Sequence, residues 1–245
     1  MQKPSFLRHA FRALLPATLL LAACSKKDEP VIPPAVDQGQ VIFINAASHI
    51  APTTLKFVVD NSEKASLDYG RSSSYQGVQT GSRNLQVTAG SQNAFTQSLA
   101  LDKDKHYTFV ATPAASSSTV GGQLFTDDVT TPPSGKARIR VINLGQSVPG
   151  PIRLSQVNGT AGGPIDIVTN VAANSASAFT DFNPGIYNLS IIDNAGASID
   201  VGDGSGGAAG SKKYEDGKIY TVLVSGTKGS LNQDQKLKAF LSGNN

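Results

Sequence analysis

Side chains that could carry out catalysis or bind a metal are few and widely spaced in this 245-residue chain. Beyond the first residues the histidines are His49 and His106. Neither stands at metal-ligand spacing from another histidine, a cysteine or a pair of carboxylates. A transition-metal site needs three or four such ligands close together. The pattern therefore predicts no metal and no cofactor.

Motifs for nucleophilic or paired-carboxylate catalysis are equally weak. Ser225 and Lys228 match a Ser-x-x-Lys pair, which requires a helical turn, but the surrounding glycines indicate a turn after a strand. Asp127 and Asp128 are adjacent, so in a strand they would point to opposite faces and could not flank one glycosidic bond. We therefore expect a protein that is not an enzyme.

The single cysteine, Cys24, ends a short apolar segment near the start of the chain. Lys3, Arg8 and Arg12 precede an apolar run over Ala13–Ala23. That run is shorter than the roughly 20 residues of a membrane-spanning helix, and it is typical of a secretory signal. Because the chain has no second cysteine, the thiol has no disulfide partner within it.

The sequence Leu-Ala-Ala-Cys that ends at Cys24 resembles the lipobox of bacterial lipoproteins. The resemblance implies a signal peptide over residues 1–23, cleavage between Ala23 and Cys24, and acyl chains on the sulfur and the new amino group of Cys24. Two or more acyl chains anchor a protein stably. We expect the mature protein to be held on a membrane by lipid. A coincidental cysteine at the end of a leader is the alternative.

The residues after Cys24 bear on its location. Ser25 stands where an aspartate would favour retention in the inner membrane of many Gram-negative bacteria, and Lys26–Glu29 resemble an export signal to the cell surface. We expect a lipid-anchored protein of the outer membrane that is displayed at the surface; the alternative is a protein that faces the periplasm. Residues 24–39 are polar and proline-rich, which predicts an extended tether.

The charge of the chain argues against a nucleic-acid partner. The formal net charge is +3, with 21 basic and 18 acidic side chains. Cleavage at Cys24 removes Lys3, Arg8 and Arg12, three of these 21, and leaves the mature chain balanced at 18 of each sign. No basic run exceeds two residues, so the electrostatic pattern of a nucleic-acid binder is absent from the sequence.

Short runs rich in Val, Ile, Thr, Phe and Tyr, separated by Gly, Pro, Asn and Asp, predict an all-β protein. In one of these runs, Tyr107–Ala111, the polar and apolar alternation is blurred, as expected of a strand buried on both faces. Three blocks recur in the same order along the chain: 41–45 and 139–143, 81–87 and 185–191, 105–110 and 218–223.

The recurring blocks predict two domains, one over residues 40–130 and one over 137–245, joined by a proline-containing linker at 131–136. The spacing of the strands and turns allows about seven strands in each copy. We expect two tandem antiparallel β-sandwiches of immunoglobulin-like or transthyretin-like architecture. The glycine-rich segment 202–210 is interpreted as a hairpin loop, with a calcium-binding loop as the alternative.

The repeated signatures resemble a known family. Each copy opens on a strand that ends in Asn (Asn45, Asn143), contains a Gly-x-x-x-Leu-x-Val/Ile strand, and closes on Lys-x-Tyr-Thr. This pattern is similar to the domain of unknown function 4397, a family of β-sandwich repeats common in bacterial envelope lipoproteins. The resemblance extends from about Gly39 to Lys238; it implies a fold and gives no information about activity. Pro149–Pro151 and Gly162–Pro164 depart from it, so it does not predict the middle strands of the second copy.

The leading hypothesis is a lipid-anchored envelope protein with a structural, adhesive or surface-complex accessory role. Its partners would be the membrane and other envelope proteins or glycans. A first alternative is a module that binds a carbohydrate or another polymer. The chain has no Trp, which is the strongest sugar platform, so Tyr69 and Tyr75 are the candidate ligand-binding residues. The alternative, which is favoured, is that they cap the core. A second alternative is a hydrolase with a motif-free site at the domain interface.

Overall fold

The computed structural model describes residues 36–114, 119–157, 163–202 and 211–243. The regular secondary structure of these ranges is β-strand apart from one short 3-10 turn at Ser48–Ile50, so the predicted all-β fold is confirmed. None of their segments forms a helix with the length and apolar character needed to cross a bilayer. Ala23, Cys24, the predicted signal peptide and nearly all of the glycine-rich segment lie outside the described residues.

The first half of the chain forms a sandwich of two four-stranded sheets. Its strands are β1 (Gln38–Asn45), β2 (Leu55–Val59), β3 (Ser62–Leu67), β4 (Gln76–Gln79), β5 (Gly81–Ala89), β6 (Gln92–Leu101), β7 (His106–Pro113) and β8 (Val120–Asp127). One sheet has the order β4-β1-β7-β8 and the other β3-β2-β5-β6. The fully buried rings of Phe43, Phe57 and Phe109 form the centre of the core between them.

The second half wraps one ten-stranded sheet around its own core. Its strands are β9 (Ala137–Asn143), β10 (Ile152–Val157), β11 (Ile165–Val171), β12 (Ser175–Ala176), β13 (Thr180–Phe182), β14 (Gly185–Ile192), β15 (Ser198–Gly202), β16 (Lys212–Tyr214), β17 (Ile219–Ser225) and β18 (Lys238–Gly243). The main path is β11-β10-β14-β15-β18-β17-β9-β12. Val141, Leu189 and Val222 are among the side chains buried in this core.

Equivalent strands of the two halves pair in the same register. In the first sandwich Val41 of β1 faces Tyr107 of β7, and in the second Ile139 of β9 faces Tyr220 of β17. Both pairs are parallel, whereas most other pairs are antiparallel. The same sequence blocks therefore add one parallel pair to the predicted antiparallel arrangement in both halves, and β15 and β18 form a further parallel pair in the second.

The asparagine that ends β1 and β9 has a structural role in both halves. The side-chain amide of Asn45 donates to the carbonyls of Thr53 and Leu67, and that of Asn143 donates to the carbonyl of Val171. Both side chains are fully buried. Each amide thus ties the end of a central strand to a strand that it does not pair with, β3 in the first half and β11 in the second, and it replaces the lost hydration of the carbonyl groups.

The tyrosine of the Lys-x-Tyr-Thr signature fixes the turn that precedes its strand. The Tyr107 hydroxyl accepts the backbone N–H of Asp102 at 3.0 Å, and the Tyr220 hydroxyl accepts that of Glu215 at 2.9 Å. Both bonds span five residues. The recurring signature therefore encodes a turn closure.

The structure supplies the middle strands of the second half that the resemblance did not predict. Strands β10 and β11 pair with each other, with register shifts near Ile152 and Leu154. At the end of the described chain, Lys238–Gly243 forms β18, which pairs with β17.

Candidate functional site at the interface of the two sandwiches

The two sandwiches share a third apolar cluster that lies between them. Ile42, Ile44 and Val110 of the first half contact a set from the second half that includes Ile142 and Leu223. These residues alternate along their strands with residues of the two sandwich cores. The central strands are thus buried on both faces, which confirms the interpretation of the blurred alternation in Tyr107–Ala111.

Arg140 lies buried in this interface with an exposed fraction of 1%. Its Nη2 donates to Asp127 Oδ1 at 2.5 Å and to Thr108 Oγ1 at 2.9 Å. Its Nη1 donates to the Thr126 carbonyl and its Nε to Thr221 Oγ1, both at 3.1 Å. One guanidinium from β9 therefore joins β7 and β8 of the other sandwich, and a buried ion pair of this kind requires such complete hydrogen bonding.

The Asp127 carboxylate is fully engaged. Its second oxygen, Oδ2, accepts the Tyr75 hydroxyl at 2.7 Å and the Thr108 hydroxyl at 2.8 Å. The Tyr75 ring in turn meets His106 edge-on, with ring centroids 4.8 Å apart. The hydroxyl of Tyr75, a candidate ligand-binding residue, thus forms a hydrogen bond within the interface. Ligand binding by Tyr75 stays a prediction.

Arg138, two residues before Arg140 on β9, forms a second and more exposed connection. Its Nε donates to Asp181 at 2.8 Å, and its Nη1 contacts Asp128 at 3.3 Å and the Thr130 carbonyl at 3.0 Å. The hydrogen bond to Asp181 is the main reason that the pKa of Arg138 is raised. Hydrogen bonds from Thr130 lower the pKa of Asp128. These contacts hold the segment between the sandwiches at its start.

The other end of the interface contains Tyr69, the second candidate residue. Its hydroxyl is buried beside Ser225, whose own hydroxyl donates to the Ala46 carbonyl at 2.8 Å. Burial raises the pKa of Tyr69. Lys238 Nζ lies 5.5 Å from the centre of the Tyr69 ring. Tyr69 and Tyr75 therefore both lie at the interface, at separate places along it, and the structure does not bring them into one site.

A cleft of about 720 Å³ opens to solvent beside Arg140. His106 and Asp128 line it from the first half, and Ser177 and Phe179 from the second. The Arg140 guanidinium carbon lies 4.6 Å from the centre of the Phe179 ring. An aromatic face beside hydroxyl and charged groups can hold a small polar molecule.

Sequence reasoning missed Arg140 and Phe179, although the chain contains a signal for each. Arg140 is the charged residue in an apolar block, at the position that Ile42 holds in the first copy. Phe179 follows Ser177, which binds the backbone of β9 as Ser73 binds that of β1. Ser-x-aromatic is thus a further shared block, too short to recognise without the strand pairing.

The described ranges contain no group of side chains suited to bind a metal ion. Across residues 36–114, 119–157, 163–202 and 211–243, no three His, Cys, Asp or Glu side chains come close enough to hold an ion.

Comparison with known families identifies the first half. Residues 39–150 match the family described as Domain of unknown function (DUF4397). The resemblance predicted from the sequence is confirmed over this segment, which contains the first sandwich and β9. Its predicted continuation to Lys238 stays a prediction. None of the curated proteins is significantly similar in sequence to this chain.

Several solved structures of bacterial surface proteins share a distant likeness with the chain. The tip fimbrial protein Mfa3 of Porphyromonas gingivalis is 10% identical, with 85% of this chain and 99% of that chain covered and a TM-score of 0.29. A candidate cell adhesion protein of Bacteroides uniformis is 10% identical over 86% of this chain and 99% of its own, with a TM-score of 0.28. A candidate adhesin of Bacteroides ovatus is 9% identical over 79% and 90%, with a TM-score of 0.22. At TM-scores this low, the likeness carries no argument about function.

Proposed function

We propose that this protein is a lipid-anchored component of the cell envelope with a non-enzymatic structural role, as an adhesive element or as an accessory in a surface complex. Cys24 would carry the anchor, and the two sandwiches would form one stiff body held off the outer membrane by the tether. In this proposal the sandwiches are displayed on the outside of the cell.

The interface between the sandwiches is the observation that carries the structural role. Its apolar cluster is closed at one side by the buried network of Arg140, Asp127 and Tyr75. Two domains joined only by a flexible linker would move freely, whereas a buried apolar and fully hydrogen-bonded contact resists such movement. The polar groups that could have formed a reaction centre are used to fix this geometry.

The anchor is tested by labelling cells with an alkyne analogue of palmitate. The wild-type protein should carry the label and sediment with membranes, and Cys24→Ser should lose both properties. Ser25→Ala is the matched control and should keep them, because the acylated sulfur is unchanged. An unlabelled wild-type protein would refute the anchor. Protease treatment of intact cells tests the location: a protein that survives until the outer membrane is opened faces the periplasm.

Binding of a carbohydrate or another polymer in the cleft is the second candidate function, and the Phe179 ring favours it. Aromatic faces stack on sugar rings. If this candidate is right, an array of envelope glycans should give a specific signal that Phe179→Ala removes and that Phe125→Leu, a change on the wall from the first half, largely keeps. No signal for the wild type would exclude it.

A hydrolase at the interface is not proposed. Asp127 accepts hydrogen bonds from Arg140, Tyr75 and Thr108. A general base needs an oxygen within reach of the proton it takes, and both oxygens of this carboxylate are already occupied. A broad screen of hydrolase substrates that gave turnover would overturn this view.

A further inference from the structure

One edge of the first sandwich is left open where the second sandwich is closed. In the second, β15 and β18 pair in parallel, Val201 with Ala239 and Gly202 with Phe240. The corresponding strands of the first, β6 and β8, form no pair. No hydrogen bond from another described residue reaches the outer edge of β6. Such an edge presents a row of free N–H and C=O groups.

A single large side chain accounts for this difference. The Phe95 ring of β6 stacks on Phe109, with centroids 6.2 Å apart, and lies over Gly122 of β8. A Cβ atom on Gly122 would come within 2.9 Å of the Phe95 ring. In the second sandwich the smaller Ile199 takes the place of Phe95 in the strand pairing. Phe95 therefore fills the space between the two edges and keeps them apart.

Other edges of the described sheets, at β3, β4, β8 and β11, carry features that discourage pairing. Strand β3 contains the charged residues Glu63 and Lys64, and Lys64 also donates to a backbone carbonyl of β4. A carbonyl of β8 accepts Arg140. Strand β11 has register shifts against β10 and a positive φ at Asn170. Charge, irregularity and covering side chains are the usual protections of an edge strand.

Strand β6 has none of these protections over Phe95–Leu101. This segment contains no charged residue and no proline, and it pairs with β5 in regular register. Leu99 and Leu101 are buried in the core, whereas Thr96 and Ser98 are exposed on the outer face. It is a regular strand with a mostly apolar inner face and an outer face of small side chains, which suits the addition of another strand.

The segment is also complementary to itself. If two copies pair in antiparallel fashion about Ser98, Phe95 stands opposite Leu101 and Thr96 opposite Ala100. On the inner face Phe95 then meets Leu101 and Gln97 meets Leu99, and small residues meet on the outer face. We propose that β6 pairs with β6 of a second copy of this chain, in a two-fold dimer that joins two four-stranded sheets into one of eight strands.

Strand pairing alone buries little surface, so the dimer is expected to be weak and dependent on concentration. The proposal is independent of the lipid anchor and of the cleft, because it rests on the edge of the first sandwich alone. It would stand even if Cys24 carried no lipid.

Analytical ultracentrifugation of the full-length protein, as cells produce it, tests the proposal over a range of concentrations. The wild type should shift from the monomer mass to twice that mass as concentration rises. Ser98→Lys should stay monomeric, because it places two like charges opposite each other. Asn84→Lys, on the same exposed face but one strand inward, is the matched control and should dimerise as the wild type does. Circular dichroism shows whether each variant is folded.

Oxidative cross-linking identifies the strand. Residues directly opposite in an antiparallel pair have Cα atoms about 4.5–5.5 Å apart, within reach of a disulfide. Ser98→Cys should therefore give a cross-linked dimer, and Asn84→Cys should not. A wild type that stays monomeric at every concentration, or a dimer that Ser98→Lys leaves intact, would overturn the proposal. Cross-linking of the Ser98→Cys variant to a different protein would also overturn it, because another chain would then occupy the edge.

Discussion

Arg140 and Ile42 occupy the same repeat position in the two sandwiches, yet their chemistry is opposite. Ile42 faces Thr108 across a parallel pair, and Arg140 faces Thr221 in the equivalent pair. Both side chains are buried between the sandwiches. One fills the apolar cluster, whereas the other forms an ion pair with the opposite sandwich. A single backbone framework thus accepts either side chain, provided that the surroundings satisfy it.

The comparison indicates what the ion pair contributes. A buried charged pair is often no more stabilising than apolar residues of the same volume, but it tolerates little displacement. The apolar cluster supplies the burial, and Arg140 with Asp127 fixes the position of one sandwich against the other. Substitutions at several positions test this division of roles.

The largest effect is expected when Arg140 is replaced by the residue of the first copy. Arg140→Ile leaves the Asp127 carboxylate buried without its cation, which should lower the free energy of unfolding by about 3–5 kcal/mol. Urea denaturation measures the loss. The double variant Arg140→Ile with Asp127→Leu should recover most of it, because no charge is then left unpaired.

Arg138→Ile is the matched control for this change on the same strand. The Arg138 partners Asp181 and Asp128 have side chains that are 34% and 58% exposed, against 0% for Asp127. Solvent screening should limit the cost to about 0.5–1 kcal/mol. Equal losses for Arg138→Ile and Arg140→Ile would refute the special role of the buried pair.

The two cores should differ in the next largest effect. Phe109 and Val222 take equivalent places, but Phe109 packs against three other phenylalanine rings. Phe109→Ala should cost about 3–4 kcal/mol through lost burial and the cavity left behind. Val222→Ala removes far less side chain and should cost about 2 kcal/mol. The same urea titration compares them, and a larger loss for Val222→Ala would contradict the greater contribution of the aromatic side chain to its core.

The two tyrosine turn closures should respond alike and more weakly. Tyr107→Phe and Tyr220→Phe each remove the acceptor of one backbone N–H. A loss of about 1 kcal/mol is expected for each, as is usual for one hydrogen bond. Thermal unfolding at neutral pH measures both. If only one variant were destabilised, the signature would have a structural role in one sandwich only.

The smallest effect concerns pH at the interface. Both ring nitrogens of His49 are buried without a hydrogen-bond partner among the described residues. Burial lowers the pKa of His49 below its ordinary value of 6.5. The unfolded chain therefore binds this proton more readily, so stability should fall as pH decreases below about 6.5. His49→Gln should show a smaller drop in melting temperature from pH 7 to pH 5, and an unchanged drop would exclude His49 as the cause.

Local signals predicted much of the fold because they act over a few residues. Turn residues between β-branched runs indicated strands, and Asp60 and Asn61, which connect β2 to β3, have positive φ angles. The blurred alternation of Tyr107–Ala111 correctly indicated burial on both faces. The family resemblance marked Asn45 and Tyr107 as structural signatures, and the hydrogen bonds of both residues have a structural role.

The site could not be predicted in the same way because its residues are distant in sequence. Tyr75 and Asp127 are 52 residues apart, and Arg140 lies in the other sandwich. No spacing rule connects them. The parallel pairing of β1 with β7 was also hidden, since a strand pattern shows which face is buried and does not show which strand lies beside it.

The sequence by itself determined the local structure: strands, turns and the repeated blocks, each of which depends on neighbouring residues. The anchor at Cys24 stays a prediction. The tertiary structure decided which surfaces meet. Arg140 is an unremarkable charged residue until Asp127 lies against it, and Phe95 leaves an edge unpaired only because Gly122 lies beneath its ring. Burial and pairing are properties of contacts between distant segments, and only the folded chain brings those segments together.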